Sequence, residues 1–225
     1  HVGPMSRVAI LFGATGLVGG ECLKRLLASP RYGRVVVVSR RPSGQQAAKL
    51  DEVVTSLDAL ATVGERLRAD DVFITLGTTI KKAGSQAAFR QVDYDLVVGA
   101  ARACVERGAE RLAMVSSLGA DPRSWVFYNR VKGEAEVAVR QLGYRALHLL
   151  RPSVLLGDRG EHRAGEAAAA ALLRGVAPAM LGPLKRYRGV EASVVAAAMV
   201  RVVAEDRVGV HVYESEAVSE LGAGG

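Results

Sequence analysis

Apolar runs of strand length recur along the chain, and most are followed by a segment with helical periodicity. The first begins at Val8 (Val-Ala-Ile-Leu-Phe). Others lie in Arg34–Ser39, Asp71–Leu76, Arg111–Val115 and Arg145–Leu150, with weaker ones at Val53–Thr55 and Val210–Tyr213. Unbroken apolar runs predict strands buried on both faces, because a half-exposed strand would alternate apolar and polar residues. Between them, Val18, Cys22 and Leu26 stand four apart with Leu23 and Leu27 beside them, an amphipathic helix closed by Ser29-Pro30. Further helices are expected at Leu57–Arg68, with Leu57, Leu60 and Leu67 inward, and at Gln86–Gly108. In the latter Val92, Leu96, Val97, Ala100 and Cys104 form the buried face and Gly108 the C-terminal cap. A helix opening around Trp125 runs to about Gln141, and two more occupy Ala164–Gly175 and Ser193–Ala204. Ile80–Ser85 reads as a mobile Lys- and Gly-bearing loop.

The alternation predicts a doubly wound parallel sheet of about seven strands with helices on both faces. Gly13, Gly16 and Gly19 sit between the first strand and its helix as G-x-x-G-x-x-G. A strand, a glycine turn and a helix N-terminus make an anion site. Free backbone N–H groups and the positive end of the helix dipole meet there, and glycine lets a pyrophosphate approach the main chain. The fold expected is therefore a Rossmann-type α/β domain over 5–225, with a small C-terminal substrate lobe mainly in 155–208. His1–Pro4 reads as a cloning remnant.

The end of the second strand faces the adenosine ribose in such folds, and an acidic residue there favours NAD. Here it carries Ser39-Arg40-Arg41-Pro42. A guanidinium keeps its charge and forks onto phosphate, so Arg40, and less so Arg41, point to the 2′-phosphate and to NADP(H) over NAD(H). Gly77-Thr78, after the fourth strand, either meets the cofactor with backbone atoms or is simply a turn.

The chain has 225 residues and a net charge of +7, with basic residues scattered rather than interleaved with aromatics. That charge reads as a solvated surface favouring anionic ligands, not as a nucleic-acid interface. Lys185–Arg188 is either an anion contact or a solvated loop. Cys22 and Cys104 lie on apolar helix faces and fit a reducing compartment. With no secretory signal or membrane-spanning run, a cytoplasmic protein is expected. His148 lies in a buried-strand pattern, and no His, Cys, Asp or Glu set has metal-ligand spacing, so no metal is expected.

Tyr128 and Lys132 are four apart and share a helix face; Ser116-Ser117 ends the preceding strand. Reduction of a carbonyl by hydride needs a proton donor. A phenol, whose pKa is normally about 10, does this when a nearby ammonium stabilises its phenolate. A serine hydroxyl holds the substrate oxygen. This set resembles the short-chain dehydrogenase/reductase superfamily. Leu76-Gly77-Thr78-Thr79, Lys82-Ala83-Gly84, Val115–Asp121, Val131–Glu134 and Arg151–Leu156 narrow the resemblance. They look like the atypical NAD(P)H-binding, epimerase-like subgroup that contains the Tat-interactive metastasis-suppressor protein and its bacterial relatives.

The resemblance implies that Tyr128 is the acid/base and Lys132 the residue that lowers its pKa and binds ribose. Ser117 becomes the substrate-orienting hydroxyl, with Ser116 as the fallback. It also implies that Gly13, Thr15, Gly16, Leu17, Val18 and Gly19 line the pyrophosphate, and Leu76, Gly77 and Thr78 the adenosine side. Pro152, Ser153 and Val154 would meet the nicotinamide. The short segment between Ser117 and Tyr128 and the small C-terminal lobe favour a reductase over a nucleotide-sugar epimerase. The function expected is an NADPH-dependent oxidoreductase acting on a small carbonyl or hydroxyl substrate. The alternative is a non-catalytic NADPH-binding redox sensor acting through a protein partner. A homodimer is compatible with either, and no membrane partner is expected.

Overall fold

The computed structural model describes residues 6–156 and 188–224. Seven strands form one sheet: β1 (Arg7–Phe12), β2 (Tyr32–Ser39), β3 (Leu50–Val54), β4 (Asp71–Ile74), β5 (Arg111–Val115), β6 (Ala146–Arg151) and, last in the chain, β9 (Gly209–Glu214). Their order is β3-β2-β1-β4-β5-β6-β9, and every neighbouring pair is parallel. This is the expected doubly wound α/β sheet. The chain steps outward from β1 to β3 on one side and from β4 to β9 on the other. A crevice therefore opens at the carboxyl ends of β1 and β4.

The strands are continuous in apolar character because each supplies two cores. Ala9, Leu11, Val35, Val37 and Phe73 pack with α1 (Leu17–Ala28) and a later helix, α6 (Ala192–Ala204). Ile10, Phe12, Val36, Val38, Val72 and Ile74 face the other way, towards α4 (Val97–Val105). Cys22 and Cys104 are free and buried in these cores, and burial pushes both thiols up to about 12. They stay inert thiols. At the opposite sheet edge the buried Asp71 carboxylate accepts from Tyr32 Oη at 2.9 Å and from Arg7 at 2.8 and 3.0 Å.

Four elements differ from expectation. Leu57–Arg68 is not an α-helix but two short 3-10 turns, Leu57–Thr62 and Gly64–Leu67. Gly64, which opens the second, has φ +62°, a left-handed value that interrupts the helical path. Ile80–Ala83 forms a helical turn (α2). Its Lys82 N–H donates to Thr79 Oγ1 at 3.1 Å, and Gly84 ends it at φ +86°. The long helix expected over Gln86–Gly108 is instead α3 (Gln86–Arg90), a π-turn (Gln91–Leu96) and α4. The chain ends in α7 (Ser215–Ala223), which the sequence pattern did not suggest.

Two further strands, β7 (Leu155–Leu156) and β8 (Val190–Glu191), pair as a separate parallel ribbon. The expected Ala164–Gly175 helix and most of the Lys185–Arg188 loop lie outside the described residues. The helix carrying Tyr128 is α5 (Phe127–Arg140).

Candidate active site

The glycine turn joins β1 to α1 through contacts that leave no room for side chains. Gly13 has φ +91°, and a Cβ on it would stand 2.7 Å from Thr75 Oγ1. A Cβ on Gly19 would stand 2.0 Å from the Gly13 carbonyl oxygen. The Gly16 N–H donates to that same oxygen at 3.0 Å, closing the turn. Gly16 caps α1 without any side-chain hydrogen bond, and the first turn has no acidic residue. The first-turn N–H groups of α1 are thus left for an anion.

Beside this turn lies a cavity of about 680 Å³, in the size range of small-molecule and cofactor sites. Gly16, Leu17 and Val18 line one wall, Leu76, Gly77 and Thr78 the next, and Ser116, Ser117, Tyr128 and Lys132 the third. Pro152, Ser153 and Val154 close the far end. Residues from five segments of the chain are therefore assembled at one sheet edge. Gly13 and Gly19 shape the turn from beneath rather than lining the cavity. Thr15 is exposed and stands outside the lining. Arg40 and Arg41 are also outside it. Both are exposed at the end of β2, where Ser39 Oγ donates to the Arg41 carbonyl oxygen at 2.5 Å.

Local packing explains how the chemistry-bearing residues are aimed. The Ser116 N–H donates to the Leu150 carbonyl oxygen at 2.7 Å, extending the β5–β6 ladder to the cavity. Ser116 Oγ is buried and meets no hydrogen-bond partner, whereas Ser117 Oγ reaches only the neighbouring Leu118 carbonyl oxygen, at 3.4 Å. Helix α5 can approach the loop after β5 because Gly133 has no side chain. A Cβ there would be 2.3 Å from the backbone of Asp121 and Pro122. The Tyr128 ring packs on Phe89 of α3, with centroids 5.2 Å apart.

Lys132 is buried, and its Nζ lies 2.7 Å from Asp93 Oδ1. The other carboxylate oxygen, Oδ2, accepts the Thr78 N–H at 2.9 Å. Burial opposes the Lys132 charge. Asp93 first, then Tyr128 and Glu136, outweigh burial, and the ammonium is held above the usual lysine range. Glu136, one turn further along α5, is itself buried and gripped by Arg151 at 2.6 and 2.9 Å. Arg151 also reaches Glu214 of β9 at 2.9 Å, which fixes the strand end before Pro152. The Ser153 N–H donates to Ser215 Oγ at 3.1 Å, and Ser153 Oγ donates to the Arg188 carbonyl oxygen.

The donor set fits a dinucleotide. The turn offers backbone N–H groups without side-chain obstruction, Ser116 Oγ is a buried hydroxyl with no partner, and Lys132 is a buried cation at the cavity wall. Sequence reasoning missed Asp93, Lys82, Thr75 and Thr79, all of which line the cavity. A signal for Asp93 existed: it falls four residues after Phe89 and four before Val97, an acid in an otherwise apolar row.

A family model described as NAD(P)H-binding matches residues 13–167. The mitochondrial protein FMP52 of Candida glabrata is 36% identical over 160 residues, 71% of this chain and 68% of that protein. The mitochondrial fmp52 of Aspergillus fumigatus is 35% identical over 203 residues, 87% of this chain and 86% of that protein. Among solved structures, MoeE5 in complex with UDP-glucose and NAD matches with a TM-score of 0.69 at 21% identity, over 96% of this chain and 81% of that chain. The oxidoreductase ylbE from Lactococcus lactis matches with a TM-score of 0.66 at 17% identity, over 95% and 96%. Likeness at these identities shows a shared fold. The curated relatives are FMP52 proteins, not the Tat-interactive protein that the motifs suggested. Their names also overturn the expectation of a cytoplasmic protein, since they are designated mitochondrial.

Proposed function

The chain belongs to the NAD(P)H-binding family, and from that premise we propose that it is an NADPH-dependent oxidoreductase acting on a small carbonyl or hydroxyl compound. One observation carries this reading: Tyr128 and Lys132 line the same cavity as the α1 N-terminus and Ser116-Ser117. A binding module needs the glycine turn, but it has no need of a phenol and a buried ammonium facing it.

When bound, the dinucleotide supplies or accepts the hydride. It would be held at its pyrophosphate by Gly16, Leu17 and Val18 and at its adenosine side by Leu76, Gly77 and Thr78. Lys132, Pro152, Ser153 and Val154 would contact the nicotinamide half. Arg40, with Arg41 beside it, would meet a 2′-phosphate arriving along the exposed end of β2. In the reducing direction, Tyr128 donates its phenolic proton to the substrate oxygen as negative charge builds there. Lys132 stabilises the phenolate left behind. Ser117, or the unpartnered Ser116, donates a hydrogen bond to the same oxygen and holds it in line. Solvent then returns a proton to Tyr128. In the oxidising direction each transfer reverses.

The test is a titration of the purified protein with NADPH and, separately, NADH, followed by a panel of aldehydes, ketones and quinones. Tight NADPH binding with turnover that Tyr128→Phe abolishes is the expected result. Binding without turnover across the panel removes the enzyme reading, and absence of binding removes the cofactor reading as well.

A further inference from the structure

Nine large apolar side chains are exposed among the described residues, and three of them, Val208, Val210 and Val212, gather at the end of the sheet far from the glycine turn. Val210 and Val212 are two apart in β9 and share one of its faces, 46% and 39% exposed; Val208 lies just ahead of them. In register, Val210 stands beside Leu147 of β6 and Val212 beside Leu149. Those leucines are buried in the core that Val139 of α5 completes, and that core stops short of β9. On the opposite face Tyr213 is buried with α6. The strand is therefore covered on one face only. It borders β6 and has no second strand neighbour among the described residues. The Gly209 N–H donates inward to the Arg145 carbonyl oxygen at 2.9 Å. By the alternation of a parallel strand, the N–H and C=O groups of Val210 and Val212 turn outward.

We propose that β9 is a self-association surface: a second copy of this chain lays its own β9 antiparallel beside the first and joins the two sheets into one. A two-fold axis at His211 sets Val210 of each copy opposite Val212 of the other. The outward backbone groups of both residues then exchange hydrogen bonds, and two valine pairs cover one another on the bare face. The charges at the strand ends select this direction. Arg207 is exposed ahead of the strand, and Glu214 at its end keeps 51% of its side chain exposed while holding Arg151. An antiparallel mate brings the Arg207 end of each copy to the Glu214 end of the other, whereas a parallel mate sets like beside like. Between those ends Val208–Tyr213 contains no Lys, Arg, Asp, Glu or Pro, and the β6–β9 register has no shift. Charges, prolines and bulges are what keep a free edge from pairing. The other edge of the sheet differs: β3 carries Asp51 and Glu52, with Arg34 and Arg66 on Asp51. One edge is guarded by charge and the other is apolar and self-complementary. A two-fold strand contact uses the edge of both copies and closes at a dimer.

The test is sedimentation velocity of the full chain from about 1 to about 100 μM, a range that brackets micromolar association. The wild-type protein is expected to sediment as a dimer at the upper end. Val210→Lys/Val212→Lys, with both substitutions at exposed positions, is expected to keep the wild-type circular dichroism and to sediment as a monomer throughout. A wild-type monomer at every concentration overturns the proposal and leaves the edge to a foreign strand. A dimer that persists in the folded lysine variant overturns it in favour of another face, and open-ended assemblies overturn it because a two-fold contact closes. If the lysine variant does not fold, Val210→Cys/Val212→Cys decides. Mild oxidation is expected to give a covalent dimer, which Val54→Cys on β3 does not give. Cys22 and Cys104 are buried and do not compete. Absence of the covalent dimer overturns the proposal. No cofactor or substrate enters these measurements, so their outcome is independent of the oxidoreductase reading.

Discussion

Gly19 sits so close to Gly13 that a Cβ on Gly19 would lie 2.0 Å from the Gly13 carbonyl oxygen and 2.6 Å from Thr75 Oγ1. Neither neighbour can yield, since one is backbone and the other is bonded to the Phe12 carbonyl oxygen at 2.9 Å. Gly19→Ala is therefore expected to push α1 away from the turn and to cost about 2 kcal/mol of stability, the scale of overpacking. NADPH affinity should fall at least tenfold. A thermal melt and a fluorescence titration check both, and unchanged values in both would mean the turn is more compliant than its packing indicates.

Tyr128→Phe removes only the phenolic oxygen and keeps the ring against Phe89, 5.2 Å between centroids. Turnover is expected to drop by at least a hundredfold, within the range of acid–base contributions. Cofactor affinity should stay within a few fold. Steady-state kinetics and a binding isotherm on the same preparation separate the two.

Arg40 stands exposed at the end of β2. Arg40→Ala is expected to weaken NADPH by about tenfold, the value of one charge-assisted contact, and to leave NADH nearly unchanged. Equal losses for the two dinucleotides would sink the assignment of the 2′-phosphate to this residue.

Arg151 forks onto the buried Glu136 at 2.6 and 2.9 Å. Arg151→Met leaves that carboxylate in the interior with Arg140, at 3.6 Å, as its remaining ion-pair contact among the described residues. The expected loss is about 3 kcal/mol, read as a lower denaturant midpoint. The double variant Arg151→Met/Glu136→Gln should recover part of it, because the stranded charge is gone. A double variant no more stable than Arg151→Met would show that the cost comes from packing instead.

His148 is buried in β6, its Nδ1 3.1 Å from Tyr213 Oη and its ring stacked on His211 at 5.3 Å. Burial, with the nearby His211 and Arg207, pushes its pKa down to about 4. The unfolded chain titrates near 6.5, so between about pH 6.5 and 4 it binds a proton that the folded state does not. Stability from this residue is fully present above pH 6.5 and falls as pH drops through that window, by roughly 3 kcal/mol at most. His148→Gln should flatten the pH dependence of unfolding there by about one proton. A slope equal to that of wild type would exclude His148 as its source.

The sheet was legible because parallel strands covered on both faces must be apolar throughout, as Val35–Val38 and Ala9–Phe12 are. The glycine turn was legible because three glycines at that spacing, between a buried run and an amphipathic helix, answer one steric need. The path over 57–67 was not. Leu60 and Leu67 are buried as a helix would bury them, but the left-handed Gly64 divides the segment. Periodicity alone does not weigh a single backbone angle.

The sequence by itself determined the seven strands of the main sheet, the turn at Gly13–Gly19, and the candidate chemistry of Ser116, Ser117, Tyr128 and Lys132, because each rests on local spacing or residue type. Only the tertiary structure decided what surrounds that chemistry. Asp93 meets Lys132 because a π-turn turns its carboxylate towards another helix. Glu136 keeps its charge in the interior because Arg151 arrives from β6, and Arg40 stands exposed at the end of β2, outside the residues that line the cavity. The tolerance of a buried charge depends on a partner that folding brings from elsewhere in the chain, and no local pattern carries that information.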